Sequence, residues 1–238
     1  MRTTTSAPWS AWLVPAGLVL LGLVPAVAGT ARLAELAGAP EVTAANERFV
    51  NMPLPVVLHI LAAVPFSLLG AFQFSAALRR RYRNWHRRAG RVLVGLGLMT
   101  ALSGLWMTLF YPWANPDGEA VYVMRLLFGS AMAASIVVAI DAIRRRDFTE
   151  HGDWMIRGYA IGLGAGTQVL THLPWFILVG QPEELSRAVL MGAAWVINVI
   201  VAEWVIRSAR SRRDPAAART VYSGRQVRAP QGEATHAG

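Results

Sequence analysis

The sequence predicts an all-α, polytopic membrane protein: a bundle of six transmembrane helices with both termini in the cytoplasm. Three observations carry that prediction. Of 238 residues, 54% are hydrophobic and only 16% are charged, against about 25% charged in a soluble domain; mean hydropathy is +0.38. The charges are also spaced. None falls between Arg2 and Arg32, Arg48 and Arg79, Arg91 and Asp117, or Arg157 and Glu183. Each gap exceeds the roughly 20 residues that cross ~30 Å of hydrocarbon. Finally, arginine is lopsided between the loops, which orients the chain.

Taken in order, the first span is 10–29, after a cytoplasmic tail at 1–9. A second reading is open here: Arg2, an apolar stretch at 12–25 and Ala26-Val27-Ala28 before Gly29 also resemble a signal peptide with its cleavage site. The loop at 30–52 has room for a short surface helix, Arg32 to Leu36, and shows no recognisable chemistry. Spans two and three are 53–77 and 92–111. Span four, 121–142, carries Arg125 one turn from its start; span six, 188–206, carries Glu203 one turn from its end, both near enough to an interface to snorkel or pair. Span five is 158–179. The transmembrane domain therefore covers 10–208, and the Arg-, Ala-, Gly- and Pro-rich stretch at 209–238 reads as a disordered basic cytoplasmic tail.

Seven Arg occupy 79–91, four lie within 144–157 and seven follow from Arg207 onward, whereas the loops at 30–52, 112–120 and 180–187 hold only Arg32, Arg48 and Arg187. The positive-inside rule places the first group in the cytoplasm. A bacterial inner membrane is the expected location, with the bilayer and its anionic phospholipid headgroups as partners. The net charge of +9 is thereby assigned to lipid, not to nucleic acid. With no Cys, disulfides, thiolate zinc, iron–sulfur clusters and covalent c-type haem are excluded. No phosphate loop, HExxH motif or Ser-x-x-Lys arrangement is present.

Both basic loops end in a histidine at the mouth of the next helix: Asn84-Trp85-His86-Arg87-Arg88-Ala89-Gly90-Arg91, and His151-Gly152-Asp153-Trp154-Met155-Ile156-Arg157-Gly158-Tyr159-Ala160. His151, Trp154 and Arg157 share one helix face, expected to pack against the 79–91 loop; topogenic arginine with an interfacial histidine is the plainer account. These motifs, with His59, Gln73 in the Gly70–Phe74 stretch, Asn198 and Ala202-Glu203-Trp204, resemble the bacterial membrane proteins grouped as "domain of unknown function 2306", over about residues 50–208. The resemblance implies the fold and topology and supplies no reaction. Many members carry an Arg midway along the fifth helix, where this chain has Gln168 and Val169, so a role attached to that Arg does not transfer.

The polar groups expected near the inner face are Gln73, Arg91, Asp153, Trp154, Arg157, Tyr159, Asn198 and Glu203, with His86 and His151. Glu203 pairs either locally with Arg207 or across helices with Arg157 or Arg91. Gly158, Gly162 and Gly166 recur every four residues, suited to close helix packing or to a flat ligand. His59 and His172 are expected at one depth, roughly 9–12 Å below the outer interface. They either face one another across a ligand or each bond a backbone carbonyl or a neighbour such as Thr171. Two classes of function stay open. One is a b-type haem or quinone-linked electron carrier using His59, His172, His86 and His151. The other is a binder, transporter or scaffold for a small amphiphile or lipid, with a homo-oligomer or a redox partner as the possible protein contacts.

Overall fold

The computed structural model describes residues 10–213; the expected tail at 1–9, and the expected 209–238 tail beyond residue 213, lie outside it. Every regular element among the described residues is helical: α1 (Ser10–Ala37), α2 (Glu47–Asn51), α3 (Pro53–Gly70), a 3-10 turn (Ala71–Phe74), α4 (Ala76–Arg81), α5 (Arg83–Phe110), α6 (Glu119–Arg144), α7 (Phe148–Gly162), α8 (Gly164–Leu178) and α9 (Glu184–Arg213). Five segments are long and apolar enough to cross a membrane: Trp12–Ala37, Pro53–Phe74, Arg83–Phe110, Glu119–Arg144 and Glu184–Arg212. Their outward faces are greasy: Leu20, Leu102, Leu127, Leu185 and Ile200 are each more than half exposed. Water would not tolerate that surface, and lipid requires it.

Helix boundaries follow local chemistry. Pro53 opens α3, where a missing N–H costs nothing. Ser75 caps α4 and Asp147 caps α7, the latter accepting from the N–H groups of Thr149 and Glu150 at 3.1 and 2.8 Å. The short surface helix expected at Arg32–Leu36 is instead the end of α1, which runs unbroken to Ala37. The basic stretch at 79–91 is mostly helical, and α9 continues past residue 208 to Arg213.

The main departure is the fifth expected span, 158–179. It holds the last turn of α7, which begins at Phe148, and all of α8; these two 15-residue helices meet at Leu163 between Gly162 and Gly164. Glycine is the poorest non-proline helix former, and two of them flank the joint. The joint is held from outside: Asn198 of α9 donates from Nδ2 to the Ala160 carbonyl of α7 at 2.9 Å, and its Oδ1 accepts from Thr167 Oγ1 of α8 at 2.7 Å. A single amide side chain thus spans both half-helices. Breaks at membrane depth persist only where neighbours re-satisfy the backbone in this manner.

The break decides the packing. α1 packs on α3, α3 on α5, α5 on α6, α6 on α9, α9 on α8, and α8 back on α1, closing a ring. α7 packs on α6 and α9 and also touches α5 and α3, so it fills the ring at the Arg-rich end. α8 turns aside to α1 and α9 and leaves the other end of the ring unfilled. The glycine stripe supplies the close approaches: a Cβ on Gly158 would press Ile136 at 3.2 Å, one on Gly162 would meet Phe66 at 2.9 Å, and one on Gly166 would overlap the Leu21 carbonyl oxygen of α1. Around α7 the core is Phe66, Ala101, Met132, Ile136, Tyr159 and Leu163.

Candidate functional site: a cavity with an arginine-lined mouth

The unfilled end of the ring is a cavity of about 440 Å³, within the range of roughly 300–1,000 Å³ typical of small-molecule sites. Its floor is the α7–α8 joint, Ile161, Gly162 and Leu163, with Met132 of α6. Its walls are Gly22, Pro25 and Ala26 of α1, Ile60 and Val64 of α3, Ala101, Gly104 and Met107 of α5, and Met191 and Trp195 of α9. Gly22, Ala26, Ala101 and Gly104 put small residues on facing walls, which leaves space between them. Trp195 stacks on Phe128 with centroids 4.8 Å apart and lies against Gly164, where a Cβ would overlap the indole. A bulkier residue at the joint would therefore collide with the cavity wall.

The polar groups are unevenly placed. Inside, His59 reaches α5: its Nδ1 is 3.0 Å from the Thr100 carbonyl and 3.2 Å from Ser103 Oγ, which leaves Nε2 without a partner among the described residues. Gln168 of α8 also lines the wall. At the mouth stand Arg48, Arg125 and Arg187 with Asp117. The Asp117 side chain is only 3% exposed and takes both neighbours: Arg187 Nε hydrogen-bonds Oδ1, and Arg125 Nη1 lies 2.7 Å from Oδ2 in an ion pair not aligned as a hydrogen bond. Arg48 has no carboxylate of its own among the described residues. It stacks on Phe49 with its guanidinium carbon 4.6 Å from the ring centroid, and its Nε is buried without a hydrogen-bond partner. Burial pulls the Arg48 pKa below its ordinary value; Asp117 opposes this, and Arg125, Arg32 and Arg187 add to it. It remains a cation all the same, because arginine titrates far above neutrality.

The expected pairing of His59 with His172 is not what the fold makes. α3 and α8 are separated in the ring by α1, and His172 does not line the cavity. Its Nδ1 instead lies 2.8 Å from the Gln168 carbonyl of its own helix and 3.2 Å from Thr171 Oγ1. Shared depth on antiparallel helices says nothing of azimuth, and azimuth separates these two rings. Among the described residues no group of three or more His, Asp or Glu side chains gathers as a metal site.

The Arg-rich end gathers most of the other predicted residues into clasps. Arg157 holds Glu203 through two hydrogen bonds, at 2.5 and 3.2 Å, and its guanidinium lies 4.6 Å from the Trp154 ring centroid; the cross-helix partner is the one adopted. A second clasp, Asp153 with Arg210 at 2.5 and 2.9 Å, joins the same two helices and was not anticipated. His151 Nδ1 lies 2.9 Å from the Ala139 carbonyl of α6 and is near enough to His86 to interact with it electrostatically. Tyr159 is buried and donates to the Ser67 carbonyl at 2.5 Å. Arg91 is exposed and makes no ion pair among the described residues.

The residues that sequence reasoning missed are the four at the mouth. One signal was present: Arg48, Arg125 and Arg187 are isolated cations at the Arg-poor end, one of them inside an apolar span, where an ionisable residue marks a site more often than not. No curated protein and no solved structure matches the chain. The family described as "Predicted membrane protein (DUF2306)" matches residues 56–206, a stretch that runs from α3 to α9 and includes the α7–α8 joint, His59 and the Arg157–Glu203 clasp. The chain belongs to that family of predicted membrane proteins.

Proposed function

We propose that this protein binds a small amphiphile inside the membrane, in the cavity between α1, α3, α5, α6, α8 and α9. The carrying observation is the cavity itself: apolar and glycine-lined at depth, with charged groups confined to one end. Such a profile suits a ligand with an apolar body and a polar head. The alternative of a b-type haem carrier is supported less well, since His59 has no second histidine across the cavity among the described residues, and bis-His ligation needs two residues on facing helices.

In this reading the chain crosses the membrane six times, with α7 and α8 together making the fifth crossing as a pair of half-helices. The arginine asymmetry puts the 79–91 and 144–157 segments in the cytoplasm of a bacterial inner membrane, so the cavity opens toward the outer side. The Arg157–Glu203 and Asp153–Arg210 clasps then hold the cytoplasmic end shut. Solvent extraction and mass spectrometry of the purified chain test the assignment. Wild-type protein should carry about one amphiphile per chain, and Gly104→Leu, which grows a side chain into the cavity beside His59, should carry none while remaining folded. Equal amounts bound to both proteins would overturn the reading.

A further inference from the structure

The charges at the mouth do not balance. Among the residues lining the cavity, three guanidinium groups face one carboxylate. Asp117 is engaged by two of the three, Arg125 and Arg187; Arg48 feels its field but makes no ion pair among the described residues. Nearby Arg32 is no donor of negative charge either; it is closed on Glu35 at 2.5 Å. A partly buried cation with an unsatisfied Nε is costly unless something negative completes it. Phe49 offsets a little of that cost through its ring face, but a ring cannot accept the Nε–H in its plane. The guanidinium thus retains donors at the threshold of an apolar chamber.

Building on the amphiphile reading, we infer that the cavity selects a single-chain amphiphile with an anionic head, a carboxylate or a phosphate monoester, whose head is held by Arg48 while its chain lies along α1 and α5 toward His59. Arg125 and Arg187, fixed by Asp117, add to the positive field at the mouth without being consumed by the head. A neutral head of the same chain would leave Arg48 as it is and gain only the apolar burial. The head-group preference therefore resides in one side chain.

The test is thermal unfolding of the purified full chain in a non-ionic detergent, titrated with decanoate, decyl phosphate or decanol. Bound ligand raises the unfolding temperature in a saturable way. For the wild type, at least one anion should bind about tenfold more tightly than decanol, as expected for a charge-assisted hydrogen bond, and the stronger anion names the head. Added salt should weaken the anion and leave decanol unchanged. Arg48→Gln should abolish the preference, Arg48→Lys should keep it in part, and Arg87→Gln at the opposite end should behave as wild type. Decanol matching both anions, or an anion response indifferent to salt, overturns the anionic head while the amphiphile reading stands. An Arg48→Gln protein that still prefers the anion removes Arg48 from the role. No response to any of the three probes overturns both this inference and the reading beneath it. If Arg48→Gln does not fold, the wild-type salt dependence and Arg48→Lys decide the matter.

Discussion

Replacing Asn198 with Ala removes the only side chain that spans the α7–α8 joint among the described residues. Two hydrogen bonds go with it: the 2.9 Å bond to the Ala160 carbonyl and the 2.7 Å bond from Thr167 Oγ1. Thr167 is just 5% exposed, so its hydroxyl gains no water in exchange. Interhelical hydrogen bonds inside membranes average about 0.6 kcal/mol and reach about 1.7; two of them place the loss at about 1–3 kcal/mol. The measurement is reversible unfolding of the purified chain in mixed micelles, comparing Asn198→Ala, Thr167→Val and the double variant. The Asn198–Thr167 bond should appear as a coupling of about 0.6 kcal/mol, the double variant losing less than the sum of the singles. Two singles that add within about 0.3 kcal/mol would refute the reasoning, and so would an Asn198→Ala protein as stable as wild type.

Three further outcomes are expected. Gly166→Ala should cost about 1–3 kcal/mol by overpacking, because the new Cβ overlaps the Leu21 carbonyl of α1 and backbone yields less readily than a side chain; Gly95→Ala, with open space beside it, is the control and should cost nothing, or stabilise by up to about 1 kcal/mol through helix propensity, in the same unfolding assay. Arg157→Ala should lose about 1.5–3 kcal/mol by stranding Glu203 and uncovering Trp154, whereas Arg145→Ala, whose partners Asp141 and Glu150 sit at the surface, should lose under about 1 kcal/mol; equal folded yields for the two would leave the clasp without energetic weight. Reporter fusions after Arg83, Asp147 and Gly238 should be active with cytoplasmic reporters and silent with periplasmic ones, and periplasmic activity at the first two would reverse the topology.

Much of this fold was legible along the chain because lipid imposes a one-dimensional rule: every crossing needs a long uncharged stretch, whatever it packs against. The gaps between arginines locate α1, α3, α5, α6 and α9, and the Arg runs mark the end at which 79–91, 144–157 and 207–213 meet. Helical periodicity groups His151, Trp154 and Arg157 toward the 79–91 segment, but their partners lie elsewhere: His151 meets the Ala139 carbonyl of α6 and Arg157 meets Glu203 of α9. What hydropathy does not encode is the lateral order of helices. Gly162 and Gly164 look like any small-residue stripe until Asn198, 35 residues on, is seen bracing the joint they loosen. His59 and His172 share a depth and are parted by α1. Arg48 of α2, Asp117 of the loop before α6, Arg125 of α6 and Arg187 of α9 are far apart in sequence, and only closure of the ring makes them one mouth. Composition determined that this protein lives in a membrane and where the chain can cross; the tertiary structure decided that the apolar stretch at 158–179 is broken at Leu163 and that a cavity opens beside the break, because helix order inside a bilayer is set by backbone approach and polar bridges between distant residues.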